Sequence, residues 1–154
     1  MSIRIIAVGK IKEKYLREGI NEYKKRLAPW ISLHESEVKE SKNSESPADA
    51  VKDEGEKIMK QLRSDSYIIA LSPEGRQCSS IDLAKQIETL LSSGKSKIDI
   101  IIGGPEGLSS EIKKGAHLQL SLSRLTFSSQ IARFIIAEQL FRVMKIIKKE
   151  PYHR

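Results

Sequence analysis

Glu138 and Arg142 stand four residues apart in a long apolar stretch, the spacing at which a carboxylate and a guanidinium meet on one helix face. The chain then ends in Glu150-Pro151-Tyr152-His153-Arg154. An aromatic ring, an imidazole and a guanidinium can stack on a base, move a proton near neutral pH and hold a phosphate. Short termini also commonly fray, so residue types leave two readings of this tail open, a working one and a solvated end. Arg133 poses a separate question. It falls on the apolar arc with Ala137, Leu140 and Met144, where a charge needs a partner, a bound anion or a subunit boundary, unless it reaches back to solvent from the first turn.

A second stretch with chemical potential is Ile98-Asp99-Ile100-Ile101-Ile102-Gly103-Gly104-Pro105-Glu106-Gly107-Leu108. The isoleucines read as a strand buried on both faces, the middle of a parallel sheet. The run stops at two glycines, and a capped helix follows from Ser109 or Ser110. Ligands of open α/β sheets bind beyond the carboxyl ends of the strands, where glycine lets a backbone approach closely. No Gly-Lys-Ser/Thr follows, which excludes a P-loop, and the Gly-Gly-x-x-Gly spacing after a late strand is not the dinucleotide fingerprint. A phosphate-poor cofactor such as S-adenosylmethionine remains open, as does a tight turn without a ligand.

The elements that must position these residues alternate. Strands are predicted at 4–9, 31–38 (near a sheet edge), 67–71, 98–102 and 117–123, the last with Leu118, Leu120 and Leu122 on one face. Helices are predicted at 10–27, 49–62, from a capping box at Ser79-Ser80-Ile81-Asp82 to about Leu91, and at 130–149 after a cap at Ser128 or Ser129. Ser72-Pro73-Glu74-Gly75 reads as a turn, and 39–48 as a polar, mobile loop interrupted by Pro47. The alternation predicts an α/β fold with a mostly parallel sheet flanked by helices.

With 154 residues the chain is expected to form a single domain, 1–154. No stretch approaches the length of an apolar membrane span, and the N-terminus leads into a strand instead of a signal peptide. Cys78 is the lone cysteine, and His34, His117 and His153 lack ligand spacing, so no disulfide and no metal site are expected. The expected setting is cytoplasmic. A net charge of +7 suits a polyanionic partner. The charge is uneven, basic over 133–154 and acid-rich over 35–56, which favours a nucleic acid over an acidic metabolite.

Ala7-Val8-Gly9-Lys10, Ile102-Gly103-Gly104-Pro105-Glu106-Gly107-Leu108, Leu122-Ser123-Arg124-Leu125-Thr126-Phe127 and the ending Pro-Tyr-His-Arg together resemble the RlmH family. These are SPOUT-class methyltransferases acting on pseudouridine of large-subunit ribosomal RNA. The resemblance spans nearly the whole chain, with its motifs in order. It implies a SPOUT-type α/β knot, in which the C-terminal helix threads a trefoil knot, and a homodimer on the ribosome. It implies S-adenosylmethionine as cofactor, held after the strand ending at Leu71, at Gly103, and across Leu122, Ser123, Arg124, Leu125, Thr126 and Phe127. The implied reaction is methylation of N3 of a pseudouridine in helix 69 of 23S ribosomal RNA. One departure stands out: Ser128-Ser129 precede Gln130 where the family usually has Pro-His.

Loss of the N3 proton leaves negative charge on the imide. Side-chain chemistry leads us to expect Arg142, positioned by Glu138, to stabilise it, His153 to act as base or proton relay, and Tyr152 to stack on the target base. A rival of another class is a non-catalytic ribosome- or RNA-binding factor on a decayed methyltransferase scaffold, which would not bind the cofactor. A third, a metabolite-binding α/β domain, predicts no salt-dependent RNA affinity.

Overall fold

The isoleucine run lies where its pattern demands, in the centre of a five-stranded sheet of order β2-β1-β4-β3-β5, with every pairing parallel. The computed structural model describes residues 1–42 and 45–154. The strands are β1 (Ser2–Val8), β2 (Ser32–Val38), β3 (Tyr67–Arg76), β4 (Lys97–Ile102) and β5 (Leu118–Leu120). The helices are α1 (Lys14–Leu27), α2 (Pro47–Gln61), α3 (Ser80–Ser92), α4 (Ser110–Gly115) and α5 (Ser129–Ile147).

Alternate β4 residues feed two different cores. Ile98, Ile100 and Ile102 pack with Leu27 of α1, Ala84 and Ile87 of α3 and the arc Ile136, Ala137, Leu140, Phe141 and Val143 of α5. Ile101 faces the other way, onto Ile58 of α2 and Ile112 of α4. Helices on both faces explain why β4 reads as a near-continuous apolar run. The Ser79–Asp82 capping box is formed, and Ser109 caps α4.

Four boundaries differ from the sequence-based expectation, each for a local reason. Pro47, expected to interrupt a loop, instead opens α2 behind a Ser46 cap, since the first helical position has no N–H to satisfy. Of the expected mobile loop at 39–48, residues 43 and 44 lie outside the described residues. Ser72-Pro73-Glu74-Gly75 is not a turn, because β3 continues to Arg76 through a register shift beside β5. At Gly75 a Cβ would meet the Gln119 backbone at 2.8 Å, so only glycine allows that approach. β5 is correspondingly short: Ser121 N–H donates to the Arg76 carbonyl at 3.0 Å, and the chain leaves the sheet into an irregular turn at 122–127. Finally, α1 begins at Lys14, not Lys10, and Gln130 Oε1 accepts the Lys12 N–H at 2.8 Å instead.

Two buried ion clusters pin opposite faces of the sheet. Fully buried Asp99 accepts from the Arg63 N–H and Nε (both 2.9 Å), Ser66 Oγ (2.8 Å) and Arg4 Nη2 (3.3 Å). Arg133, only 1% exposed, answers the question its helical position raised. Its Nη2 donates to Glu35 at 2.6 Å and Glu37 at 3.2 Å, and its Nη1 to the Gly9 carbonyl at 3.4 Å. Arg17 and Lys24 also reach Glu35, each at 2.7 Å. Burial alone would raise the Glu35 carboxyl, but Lys24 and Arg133 outweigh it and hold the group below its ordinary value.

Candidate active site

At the carboxyl ends of β1 and β4, beside the middle of β3, lies a cleft of about 520 Å³, within the usual range for a small-molecule site. Its floor and walls include Gly9 after β1, Leu71 to Pro73 of β3, Gly103 to Pro105 after β4, Leu122, Ser123 and 125–127 of the irregular turn, and Ser128 to Gln130. Each wall follows from local chain chemistry. Gly9 turns out of β1 with φ of +88°, a conformation that suits glycine. At Gly103 a Cβ would sit 2.7 Å from the Gly107 carbonyl oxygen, so the loop closes on itself only without a side chain. Gly107 N–H donates to the Gly104 carbonyl at 3.0 Å, completing that closure. In the turn, Ser123 Oγ accepts the Leu125 N–H at 3.0 Å. Ser128 caps α5 by accepting the Ile131 N–H at 3.2 Å, so the serine in place of the family's proline still starts the helix.

Of the residues expected at the cofactor, Leu71, Gly103, Leu122, Ser123, Leu125, Thr126 and Phe127 line this one cleft, and Arg124 does not. Gly9, Lys10, Lys12 and Gln130 line it too. Gly9 was visible in the first motif, whereas Gln130 could be placed only once its bond to the Lys12 N–H was known.

The four residues expected to do the chemistry form a second cluster at the other end of α5. Glu138 Oε1 accepts from Arg142 Nε (3.1 Å), Arg142 Nη2 (2.5 Å) and the Tyr152 hydroxyl (3.1 Å). Arg142 lies over the Tyr152 ring at 4.8 Å, and Phe141 meets that ring edge-on, also at 4.8 Å. Arg142 Nη1 stands 3.4 Å from His153 Nδ1. A guanidinium can only donate, so in this contact Nδ1 is the acceptor. Tyr23, burial and Glu138 together push the Tyr152 phenol up to about 12, which keeps it a donor to Glu138. Glu138 likewise raises the Arg142 guanidinium. The tail is therefore docked at Tyr152, not frayed, while His153 and Arg154 stay exposed.

The cleft and the tail cluster do not meet within one chain. From Ala132, the last cleft residue on α5, the helix advances about 1.5 Å per residue, roughly 9 Å to Glu138 and roughly 15 Å to Arg142.

Residues 1–153 match the family model described as "Predicted SPOUT methyltransferase". The chain belongs to the SPOUT methyltransferase family. Full-length relatives of this SPOUT chain include "Ribosomal RNA large subunit methyltransferase H" of Shouchella clausii, 44% identical over 100% of both chains. The protein of the same name in Natranaerobius thermophilus is 48% identical over 99% of both. Among solved structures, a probable methylase family protein from Haemophilus influenzae Rd KW20 superposes with a TM-score of 0.55 at 17% identity, covering 99% of this chain and 70% of that one. That likeness supports the SPOUT fold alone. Among the described residues no group of His, Cys, Asp or Glu is arranged to hold a metal ion, and no helix is long and apolar enough to cross a membrane.

Proposed function

We propose that this SPOUT protein, acting as a single domain over 1–154, is an S-adenosylmethionine-dependent methyltransferase of ribosomal RNA. The target is N3 of a pseudouridine in helix 69 of 23S RNA, met on the ribosome in the cytoplasm. The observation that carries this is the meeting of all three expected segments, β3 from Leu71, the loop at Gly103 and the turn at 122–127, in one cleft, in a chain similar end to end to proteins named for ribosomal RNA methylation.

S-adenosylmethionine fits the residues present. The apolar side chains of Leu71, Ile102, Leu122 and Leu125 suit an adenine, and the glycine-only closure at Gly103 lets backbone approach a ligand that has no phosphate to cradle. When bound, it supplies an electrophilic methyl group. The chain's own residues must place the base in line and take its proton. In the resting chain Arg142 covers the Tyr152 ring and engages His153 Nδ1. Moving Arg142 onto the developing imide anion exposes that ring for stacking on the target base. The same movement frees Nδ1 to accept the N3 proton. Glu138 is the positioning residue that sets where Arg142 starts.

None of Glu138, Arg142, Tyr152 and His153 lines the cleft, and roughly 15 Å of α5 lies between Ala132 and Arg142, which supports a homodimer in which the tail of one subunit completes the cleft of the other. The trefoil knot implied by the family resemblance belongs to the same reading. The test is transfer of labelled methyl from S-adenosylmethionine to ribosomes from cells lacking this gene, with the modified nucleotide mapped. Label on N3 of a helix 69 pseudouridine is expected. Cofactor binding without label there refutes the target, and absence of both leaves a non-catalytic RNA-binding factor.

A further inference from the structure

Beside the cofactor cleft, and sharing Gly9, Lys10, Lys12 and Glu40 with it, runs a larger groove of about 980 Å³. Its walls are the loop after β1, the end of β2 with the residues that follow, and one flank of α2. The charges along it do not cancel. Lys57 is held by Asp53 at 2.9 Å, and Glu37 is already shared by Arg17 and Arg133, each at 3.2 Å. Among the described residues Lys10, Lys12, Lys39 and Lys42 form no ion pair, and of the groove's carboxylates only Glu40 is left to face them. Ammonium groups gathered on a concave surface raise its potential well above that of the same charges spread over a convex one.

The groove is built, not a chance gathering of surface lysines. Glu54 of α2, 4% exposed, accepts the Ser41 N–H at 3.0 Å. The other oxygen of the same carboxylate lies 3.4 Å from where a Gly104 Cβ would be. One buried side chain thus ties the groove wall to the glycine loop of the cofactor cleft. The lining is also informative for what it lacks. Among the described residues that line it, Val38 is the one apolar side chain, so they offer neither the apolar core of a protein interface nor a platform for stacked bases. Lysines gathered without aromatic rings among the described lining residues suit phosphates, whose contacts position a strand without reading its sequence.

We propose that this groove holds the phosphate backbone of the RNA strand flanking the nucleotide presented to the cofactor cleft. The proposal rests on the reading of the chain as an RNA methyltransferase. Lys10 and Lys12 stand at the junction of the two sites, whereas Lys39 and Lys42 line the groove alone and are the residues to change.

The test compares wild type, the Lys39→Gln/Lys42→Gln double variant and Lys95→Gln, an exposed lysine at the opposite end of the sheet. Three quantities are read: KM for ribosomes in methyl transfer, affinity for a fluorescein-labelled RNA 20-mer over a salt series, and Kd for S-adenosylmethionine by calorimetry. For the double variant we expect KM and RNA affinity to weaken roughly tenfold and the log-log salt slope to become shallower by about 1.5. Its cofactor Kd should stay unchanged, and Lys95→Gln should behave as wild type. A double variant within twofold of wild type in KM and salt slope overturns the proposal while leaving the methyltransferase reading intact. Equal loss of cofactor binding overturns it too, by making the groove part of the cofactor site. If wild type transfers no methyl group to ribosomes, the methyltransferase reading fails by itself, and the RNA 20-mer series still decides the groove.

Discussion

A composite active site makes a quantitative prediction that separates it from a site within one chain. Gly103→Ala damages only the cleft, because its Cβ would stand 2.7 Å from the Gly107 carbonyl oxygen and the loop must open. Arg142→Ala damages only the tail cluster, removing the guanidinium between Glu138, Tyr152 and His153. Each homodimeric variant should lose at least about a hundredfold in turnover, the usual cost of removing a group that stabilises a developing anion or the geometry around it. The heterodimer of the two, isolated through two different affinity tags, pairs an intact cleft with an intact tail at one of its two sites. It should recover about half the wild-type rate. If cleft and tail of the same chain worked together, both heterodimer sites would carry one lesion and no activity would return. Roughly 15 Å of α5 between Ala132 of the cleft and Arg142, with no tail residue in the cleft lining, weighs against the second outcome. A heterodimer as inactive as its parents, with both variants folded by circular dichroism, refutes the reasoning, as does a wild type that sediments as a monomer.

Further outcomes follow from three polar side chains, Asp99, Arg133 and Tyr152. Asp99→Ala should destabilise the chain by about 3 kcal/mol in urea unfolding, because the Arg63 N–H and Nε lose their acceptor and the guanidinium its counter-charge, keeping only Ser2 and the Ile98 carbonyl; a loss below about 1 kcal/mol would contradict that account. Burial opposes ionisation of Asp99, but the Arg63 and Ser66 bonds outweigh it and hold its carboxyl below the ordinary value. A depressed folded pKa means the stabilisation is full above the unfolded value of about 4 and is lost as pH falls through the folded one; the acid limb of the stability curve should therefore be flatter in Asp99→Ala than in wild type. Arg133→Met should leave Glu35 with Arg17 and Lys24 only and loosen the Gly9 carbonyl, weakening S-adenosylmethionine binding as well as stability, both read by calorimetry. Tyr152→Phe keeps the ring contacts with Arg142 and Phe141 but drops the bond to Glu138, so turnover should fall less than in Arg142→Ala; an equal fall would mean the hydroxyl itself acts.

Much of this protein was legible from residue types and spacing. The isoleucine run at 98–102, the abrupt Gly103-Gly104 stop, the Ser79–Asp82 cap and the apolar arc of α5 are local signals, because strand alternation, turn chemistry and helix caps depend on neighbours within a few residues. The i,i+4 pair Glu138 and Arg142 belongs to the same class and is formed as its spacing predicts. What only the tertiary structure decided depends on residues far apart in sequence. Arg133 looked like an intrusion on an apolar face until Glu35, Glu37 and the Gly9 carbonyl were brought to it. Ser72 to Gly75 looks like a turn, yet it stays extended because the Gln119 backbone packs directly on Gly75. The tail could equally have frayed; Glu138 and Phe141, one helical turn of α5, capture Tyr152 and settle it. Short-range patterns set which elements form and where they stop. The sheet order then chose which strand ends face one another, and that placed the cleft, the lysine groove and the distance between cleft and tail.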